Sequence, residues 1–461
     1  MIHSLLLAAL VTAPPAPPAP TPQPAQPPQS VAQDSARLTV AVAIDRALAT
    51  HPAVAAARAQ RDVAAAEVGQ ARAAWLPAVS LDGAINQFEK PMIVYPLHSL
   101  NLTRPPLFDR SLSQASVGAA YTLLDFGARS SRVKASESQR EAATATLGAA
   151  EQQLVARTAT AYLRVLTGRG VLVAEDQRLA ALAAELKRAR DRLAAGKAAR
   201  LDTLRAAAEL ASARADRAGS AARVDVAEHE LARLIGVAYE VVHGAPLAGV
   251  RLVGAAAGEE PMVRAALVAR ADGANADVQV ALRRADAAQA AVGSARATQY
   301  PHLQATSAIV DRSNLTGRYL AEWQVGVGLS YPLFTGGARP SAINRAEATV
   351  RVAQEQVRLT RLSTEQQVDE TRTGLDEARA RVAALEAAVA QSAEVARITQ
   401  LARDAGEGTQ TDYLIAEASL FRARSSLVQA RHAVIATRVE LARVLGELSR
   451  QWIASSLEPL P

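Results

Sequence analysis

Two hydrophobic patterns alternate along the chain, one with a period of seven residues and one with a period of two. The seven-residue pattern fills two long stretches, at Val165, Leu172, Leu179, Leu186 and Leu193 and again at Val368, Leu375, Val382 and Val389. A sustained repeat of this kind is typical of helices that pack as left-handed coiled coils. It predicts long helices over about 128–193 and 338–403, each followed by a second helix near 203–236 and 412–447.

The two-residue pattern marks four shorter segments between the helical stretches. Alternation of apolar and polar residues gives a β-strand one apolar and one polar face. The segments near 79–85, 117–121 and 303–309 share this alternation, and together with 323–331 they predict two β-hairpins, at about 77–124 and 301–332. In the clearest segment Trp323, Val325, Val327, Leu329 and Tyr331 alternate with Gln324, Gly326, Gly328 and Ser330.

The two sets of elements are copies of each other. Residues 121–129 (YTLLDFGAR) match residues 331–339 (YPLFTGGAR) at an offset of 210, and the turn that begins at Gly196 matches the turn that begins at Gly406 at the same offset. A repeated order of motifs at a fixed offset indicates a tandem duplication. We expect a first repeat at 38–236, a linker at 237–260, a second repeat at 261–447 and a C-terminal tail at 448–461.

Prolines and glycines set the predicted limits of the helices. Pro77 and Pro301 each precede a hairpin, because proline cannot donate the hydrogen bond that would continue a helix. They lie 224 residues apart, and the difference 224 − 210 = 14 places an insertion of 14 residues in the first hairpin. Gly168 and Gly170 interrupt the first long heptad stretch, so we expect a bend or an irregularity there.

Composition and charge narrow the class of protein. Of the 461 residues 49% are hydrophobic but only 3% are aromatic, so small aliphatic side chains must build the interior, as in closely packed helices. The absence of cysteine excludes a disulfide framework, a thiolate nucleophile and a cysteine-based zinc site. The net charge of +6 is dispersed through the helical stretches, which argues against a nucleic-acid partner.

The N-terminal residues 1–33 are typical of an export segment followed by a spacer. Residues 4–13 (SLLLAALVTA) have the length of the apolar core of a signal peptide, and residues 14–28 are rich in proline and suit an extended linker. The rest of the chain has no apolar run of about 18 or more residues, so a membrane-spanning helix is not expected.

No group of residues has the spacing of a catalytic, cofactor or metal site. Gly196 and Lys197 lack the other residues of a phosphate-binding loop, and Ser131 with Lys134 lies on a predicted coiled-coil helix without a pocket. The helical histidines have no partner at ligand spacing. We therefore expect no enzymatic activity, no cofactor and no bound metal.

Four strands of about ten residues are long enough to cross an outer membrane but too few to close a barrel. Open strand edges are not tolerated in lipid, since their backbone groups would have no hydrogen-bond partners. Three chains that each contribute four strands would form a barrel of twelve, and the long helices could continue beneath it as a tube.

The ordered set of motifs resembles the TolC-type outer-membrane efflux channel family over roughly residues 38 to 447. The resemblance implies an α+β, mainly α fold: duplicated coiled-coil helices form an α-barrel in the periplasm, and two β-hairpins per chain contribute to a twelve-stranded barrel in outer-membrane lipid. It implies a homotrimer that passively exports small molecules or proteins. The expected partners are a periplasmic adaptor and an inner-membrane transporter.

The resemblance also assigns positions to candidate functional residues. The turns at 194–203 and 404–413 would lie at the periplasmic tip, where Asp412 falls on a pore-narrowing carboxylate ring and Asp202 on a link that holds the closed state. Ile415 and Arg403 depart from the family pattern, so we expect a closing network rewired around Arg403 and Asp202. The tip residues are Asp412, Asp202, Arg403, Thr409, Gly406 and Gly196; the strand-to-helix junctions contain Tyr121, Gly127, Arg129, Tyr331, Pro332, Gly337 and Arg339.

Other interpretations of these residues remain open. Gly196 and Gly406 suit the left-handed cap of any helix end, and Asp202 and Asp412 could be the N-caps of the following helices. The strand aromatics could lie at a membrane interface or be ordinary sheet residues. For the whole chain the alternatives are a soluble periplasmic coiled-coil adaptor or scaffold, and an envelope enzyme.

Overall fold

The computed structural model describes residues 37–94, 108–196, 199–254, 263–314 and 319–460. The predicted export segment lies outside these residues, as do parts of the first hairpin loop and of the linker. In chain order the elements are α1 (Val40–Thr50), α2 (Pro52–Ala73), β1 (Ala78–Ile93), β2 (Phe108–Leu124), α3 (Ala128–Ala194), α4 (Arg200–Ile235), α5 (Tyr239–Gly244), β3 (Gly249–Leu252), α6 (Arg264–Ala274), α7 (Ala276–Ala297), β4 (His302–Ser313), β5 (Tyr319–Ser330), α8 (Ala338–Ala405), α9 (Gln410–Val444), α10 (Arg450–Ser456) and β6 (Leu457–Leu460).

The two long helices begin and end close to the predicted residues. α3 has 67 residues and α8 has 68, which at 1.5 Å per residue gives each a length of roughly 100 Å. The expected interruption at Gly168 and Gly170 is absent, because α3 continues through both residues. Gly168 instead allows α4 to approach closely, since a Cβ at this position would lie 2.6 Å from the Cγ2 atom of Val224.

The two predicted hairpins join into one antiparallel sheet with the order β1-β2-β4-β5. Its register places Leu81 opposite Val117, Val117 opposite Ile309, and Ile309 opposite Trp323, so the four side chains form one row across all four strands. Within the described residues, β1 and β5 each have one edge without a partner strand. The duplication therefore ends in a single sheet with two open edges.

One face of this sheet is apolar and exposed. Leu81 is 63% exposed, Ile309 60% and Trp323 76%, although large apolar side chains normally avoid water. The next row along the strands, on the opposite face, contains Asp82, Ser116, Val310 and Glu322. The sheet is polar on one side and apolar on the other, and nothing in the described chain covers the apolar side.

Between the sheet and the distal helix ends lies the largest hydrophobic core, which α1, α3, α4 and α9 share with the short elements of the linker and the tail. The linker strand β3 pairs with the tail strand β6, and α10 packs beside them. Tyr162 is fully buried at the centre, and its single hydroxyl proton is shared between the carbonyl oxygens of Leu38 and Ala248, which lie 2.6 Å and 2.7 Å from the hydroxyl oxygen. The described part of the C-terminal tail, residues 448–460, is thus a folded part of this core.

Beyond this core the helices continue as two antiparallel pairs, α3 with α4 and α8 with α9. Small residues and leucines fill the interior of each pair, and α9 also packs on α3 through Tyr413 and Leu414. In the part of the chain that the structure describes, no single helix has the length and apolar character needed to cross a membrane; α1 and α2, which are bent by 48°, meet both requirements only as a pair.

Candidate functional site

The second tip turn joins α8 to α9. Gly406 ends α8 with a left-handed φ of 84°, and its amide donates hydrogen bonds to the carbonyls of Ala402 and Arg403. Thr409 is the N-cap of α9: its hydroxyl accepts a hydrogen bond from the amide of Asp412 (3.1 Å) and donates one to the Asp412 carboxylate (2.6 Å). The interpretation of Asp412 as an N-cap is therefore wrong, because Asp412 lies three residues inside the capped helix.

The first tip turn joins α3 to α4 and lacks the side-chain cap of the second turn. Gly196 has a left-handed φ of 68°, and the N-cap position holds Ala199, which has no side-chain hydrogen bond to offer. Asp202 again lies in the first helical turn and is not the N-cap. A carboxylate in this turn is stabilised by the positive end of the helix dipole. The two tip carboxylates thus occupy equivalent places in the two repeats.

Arg403 is an almost fully buried charged residue at the tip, at 5% exposure. Its guanidinium donates hydrogen bonds to Glu185 of α3 (3.0 Å) and to Asp404 (2.9 Å), and it lies 4.1 Å from the centre of the Tyr413 ring. Glu185 is itself 4% exposed and also pairs with Arg188. These contacts join the first helical pair to the second, and they satisfy a cation that would be costly to bury alone.

The sequence predicts a closing network rewired around Arg403 and Asp202, and within one chain the Arg403 guanidinium pairs with Glu185. Among the described residues no side-chain hydrogen bond or ion pair reaches the Asp202 carboxylate. Sequence reasoning missed Glu185 and Tyr413. The position of Glu185 in the heptad pattern could have indicated its burial, because it lies three residues after Leu182 and directly before Leu186, both core residues of the coiled coil.

The aromatic partner of Arg403 is also held out of water. Burial, together with the negative charge of Glu417, raises the pKa of the Tyr413 hydroxyl above its usual value. Tyr413 lines a cavity of about 130 Å³ between α3, α4 and α9, together with Glu185 and Leu414. A second link between the helical pairs is the hydrogen bond from Arg205 of α4 to the Thr411 hydroxyl of α9, at 2.9 Å.

The first strand-to-helix junction is an ion pair enclosed by aromatic rings. Asp125 accepts hydrogen bonds from the amide and the guanidinium of Arg129, both at 2.9 Å, and from the amide of Gly127. The Arg129 guanidinium lies 4.3 Å from the Trp75 ring centre and 5.7 Å from that of Tyr121. The structure thus brings the predicted residues Tyr121, Gly127 and Arg129 into one cluster.

The second junction repeats the geometry with a weaker set of partners. Arg339 lies 5.2 Å from the ring centre of Tyr331, but Thr335 replaces the carboxylate at the position equivalent to Asp125. Gly336 and Gly337 both have positive φ values. Pro332 lies exposed in the loop between β5 and α8. The second copy therefore keeps the arginine-on-tyrosine contact without the buried ion pair.

The prolines before the hairpins lie where the sequence places them. Pro77 directly precedes β1 and Pro301 directly precedes β4, a few residues after α2 and α7 have ended. Beside them the two repeats touch, because Phe126 stacks on Tyr300 with ring centres 4.8 Å apart. Phe126 has a φ of 50°, a conformation for which the second repeat uses Gly336.

A duplicated chain that carries long helical pairs at one end and an amphipathic four-stranded sheet with an uncovered apolar face at the other defines an integral membrane protein of a channel-forming class. Residues 43–237 and 267–447 match the model of the family described as "Outer membrane efflux protein". The chain belongs to this family, and it is an outer-membrane efflux channel whose helical part lies in the periplasm. This finding favours the channel over the soluble adaptor or scaffold.

Relatives of known identity agree with this assignment. The chain is 24% identical over 409 residues to "Outer membrane protein TolC" of Vibrio cholerae, a match that covers 87% of this chain and 89% of the relative. It is 25% identical over 366 residues to "Outer membrane efflux protein BepC" of Brucella suis, with 76% of each chain covered. The fold is that of the outer membrane protein VceC of Vibrio cholerae, with a TM-score of 0.75, 22% identity, and 88% and 96% of the two chains covered.

Proposed function

We propose that three copies of this chain close one twelve-stranded β-barrel in the outer membrane, with their helices joined into a single periplasmic tube. The observation that carries the proposal is the sheet, which has an uncovered apolar face and two open edges, β1 and β5. In lipid each open edge would leave backbone groups without partners, so β5 of one copy must pair with β1 of the next. Three copies provide a strand number within the range of bacterial barrels.

Exposed aromatic and aliphatic residues at the base of the sheet support contact with lipid. Leu333 is 87% exposed and Phe334 89%, both in the loop that follows β5. Trp75 and Tyr331 lie at the same end of the sheet, and aromatic side chains of this kind prefer the boundary between lipid and water. This end of the sheet suits the periplasmic boundary of the outer membrane.

At the opposite end of the helices the tip turns form the proposed gate. Three copies of Asp412 around one axis would narrow the pore and attract cations while repelling anions. Ile415 lies one helical turn away on the same exposed face and adds an apolar ring where a second carboxylate would strengthen that preference. The Arg403 to Glu185 pair and the Arg205 to Thr411 hydrogen bond hold the two helical pairs of each protomer together in the closed state.

In this proposal the channel is a passive duct that has no enzymatic activity of its own. A periplasmic adaptor and an energised inner-membrane transporter supply the cargo and the work, and the system is one for efflux or for type I secretion. A wide water-filled pore discriminates little among solutes, so its partners select the exported small molecules or proteins.

The test of this proposal is the number of chains in the protein extracted from outer membranes with detergent. Light scattering corrected for bound detergent is expected to give a trimer. A monomer in that fraction, or no protein in the outer membrane, would show that the strands close no shared barrel and would overturn the proposal.

A further inference from the structure

The tip of the helices carries apolar side chains that the protomer leaves uncovered. Val395, Ile398 and Leu401 are 52%, 52% and 56% exposed, and their spacing places them along one side of α8. Leu201 and Leu204 on the first turn of α4 are 53% and 57% exposed. Apolar patches of this kind on a folded chain mark surfaces that contact another protein, a ligand or a membrane.

The duplication gives each of these residues a counterpart 210 positions away. Val395, Ile398 and Leu401 of α8 correspond to Glu185, Arg188 and Asp191 of α3, since 395 − 185 = 398 − 188 = 401 − 191 = 210. On the second helices Leu204 corresponds to Leu414, since 414 − 204 = 210. The same side of the long helix is therefore charged in the first repeat and apolar in the second.

The counterpart of Leu204 is already docked within the protomer. Leu414 of α9 is 9% exposed and packs with Leu182 and Leu186 of α3, in the cavity that Glu185 also lines. This contact joins the second helix of one repeat to the long helix of the other. The reverse combination, α4 of the first repeat on α8 of the second, would use the two uncovered apolar surfaces.

We propose that Leu204 and Leu201 of one copy dock on Val395 and Ile398 of a second copy, in the place between protomers that corresponds to the place of Leu414 beside Glu185 within one. A ring of alternating helical pairs needs two contacts per protomer, one of α9 on α3 and one of α4 on α8. A single protomer contains only the contact of α9 on α3. This inference rests on the trimer of the proposed function and adds the residues through which neighbouring helical pairs meet.

The two contacts differ in chemistry. Within the protomer Arg403, Glu185 and Tyr413 form a buried polar network, whereas their counterparts at the contact between protomers are Leu193, Val395 and Thr203. Salt screens the attraction between ion pairs, whereas an apolar contact has no such attraction to lose. A partner protein with a charged helix would gain little from the α8 surface, which favours a second copy as its occupant.

The absence of cysteine makes the contact testable by disulfide cross-linking. The pair Val395→Cys and Leu204→Cys, introduced together, is expected to give covalent dimers and trimers on non-reducing gels after mild oxidation of the purified protein. The control within the protomer is Leu182→Cys with Leu414→Cys, two residues of one apolar cluster, which is expected to cross-link without adding chains. Mixing the two single variants, one of them tagged, establishes that the bond joins different copies.

A second measurement tests the same contact if the double variant assembles poorly. In the purified trimer, the single variant Leu204→Cys is expected to react with a maleimide at least tenfold more slowly than Val226→Cys, an exposed residue of the same helix. Equal rates, or a trimer that never cross-links through 204 and 395, would overturn the inference and leave the proposed channel intact. Failure to isolate a trimer at all would instead count against the proposed function.

Discussion

The guanidinium of Arg403 and the carboxylate of Glu185 lie 3.0 Å apart, and together they tie the last turns of α8 to α3. Both side chains are almost fully buried, so this pair is not an ordinary surface ion pair. Removing one member of a buried pair leaves the other charge without its full set of partners. The two helical pairs of a protomer should therefore separate more readily when this contact is lost.

The variant Glu185→Gln tests that contact directly. It removes the charge but keeps a hydrogen-bond acceptor, and we expect the closed tip to lose on the order of 1–3 kcal/mol. The measurement is single-channel conductance in planar bilayers, which should rise. Glu386→Gln is the control, because its ion pair with Arg431 is exposed and such pairs contribute about 0–1 kcal/mol. Equal conductance of the two variants and the parent would contradict a closing role.

The charge of Asp412 should set the ionic preference of the pore. Asp412→Asn removes the charge and keeps an oxygen that can accept the hydrogen bond from Thr409. We expect the preference for cations over anions to fall, as measured from reversal potentials in a salt gradient. Glu377→Gln, on an exposed part of α8, should leave the preference unchanged. If both variants behave as the parent does, Asp412 does not line the constriction.

Adjacent residues of β5 should respond in opposite ways to the same substitution. Val325 is 71% exposed on the apolar face, and Gln324 points to the polar face. Val325→Arg should destabilise the inserted protein by roughly 2–4 kcal/mol, because arginine faces lipid there, and Gln324→Arg should be tolerated. The yield of trimer in outer-membrane fractions measures the difference. Equal yields would mean that the exposed row does not face lipid.

Two helical glycines should give opposite results when changed to alanine. Gly69 has nothing within 4 Å of an added Cβ, so Gly69→Ala should stabilise α2 by about 1 kcal/mol through helix propensity. At Gly168 the added Cβ would collide with Val224, and we expect a net loss of stability in spite of the same propensity gain. Thermal unfolding midpoints of the two variants measure the contrast. A stabilised Gly168→Ala protein would show that α3 and α4 can separate freely.

The buried hydroxyl of Tyr162 should contribute to stability in a pH-dependent way. Tyr162→Phe leaves the carbonyls of Leu38 and Ala248 without this donor, which costs about 1–3 kcal/mol. Burial raises the pKa of the Tyr162 hydroxyl above its usual value of 10.0, so the folded protein resists the ionisation that the unfolded chain undergoes. This contribution is complete below pH 10 and falls as the pH rises further. Denaturation midpoints of the parent and the variant should therefore converge above pH 10.

The fold could be predicted from the sequence to the extent that its elements repeat. The seven-residue pattern identified the long helices within two residues, and the two-residue pattern identified the positions of the four strands, because each pattern reports directly which side chains must face a neighbour. β1 and β2 extend eight or nine residues beyond the segments that alternate. The pairing of β2 with β4, which merges the hairpins into one sheet, carries no local signal. Neither does the pairing of β3 with β6, since both strands are too short for a pattern to stand out.

The tip was predicted less completely. Thr409, Asp412 and the two turn glycines were identified because the motif occurs twice, in the same order. Glu185 was missed because its partner Arg403 lies 218 residues away, and the pairing depends on how α9 brings the second helical pair against the first. Gly168 was interpreted as a break because sequence alone does not reveal that α4 passes so close to it.

The pairing of β3 with β6 also affects the order in which parts of the chain can fold. A polypeptide that emerges N-terminus first presents Gly249–Leu252 before the second repeat, and the partner strand Leu457–Leu460 emerges only after the whole of that repeat. Contacts between residues so distant in sequence form late, and an unpaired strand edge is an open site for wrong pairing. The sheet of β3 and β6 can therefore form only when the whole second repeat is present. A polypeptide that ends within the second repeat would expose β3 as an unpaired strand edge.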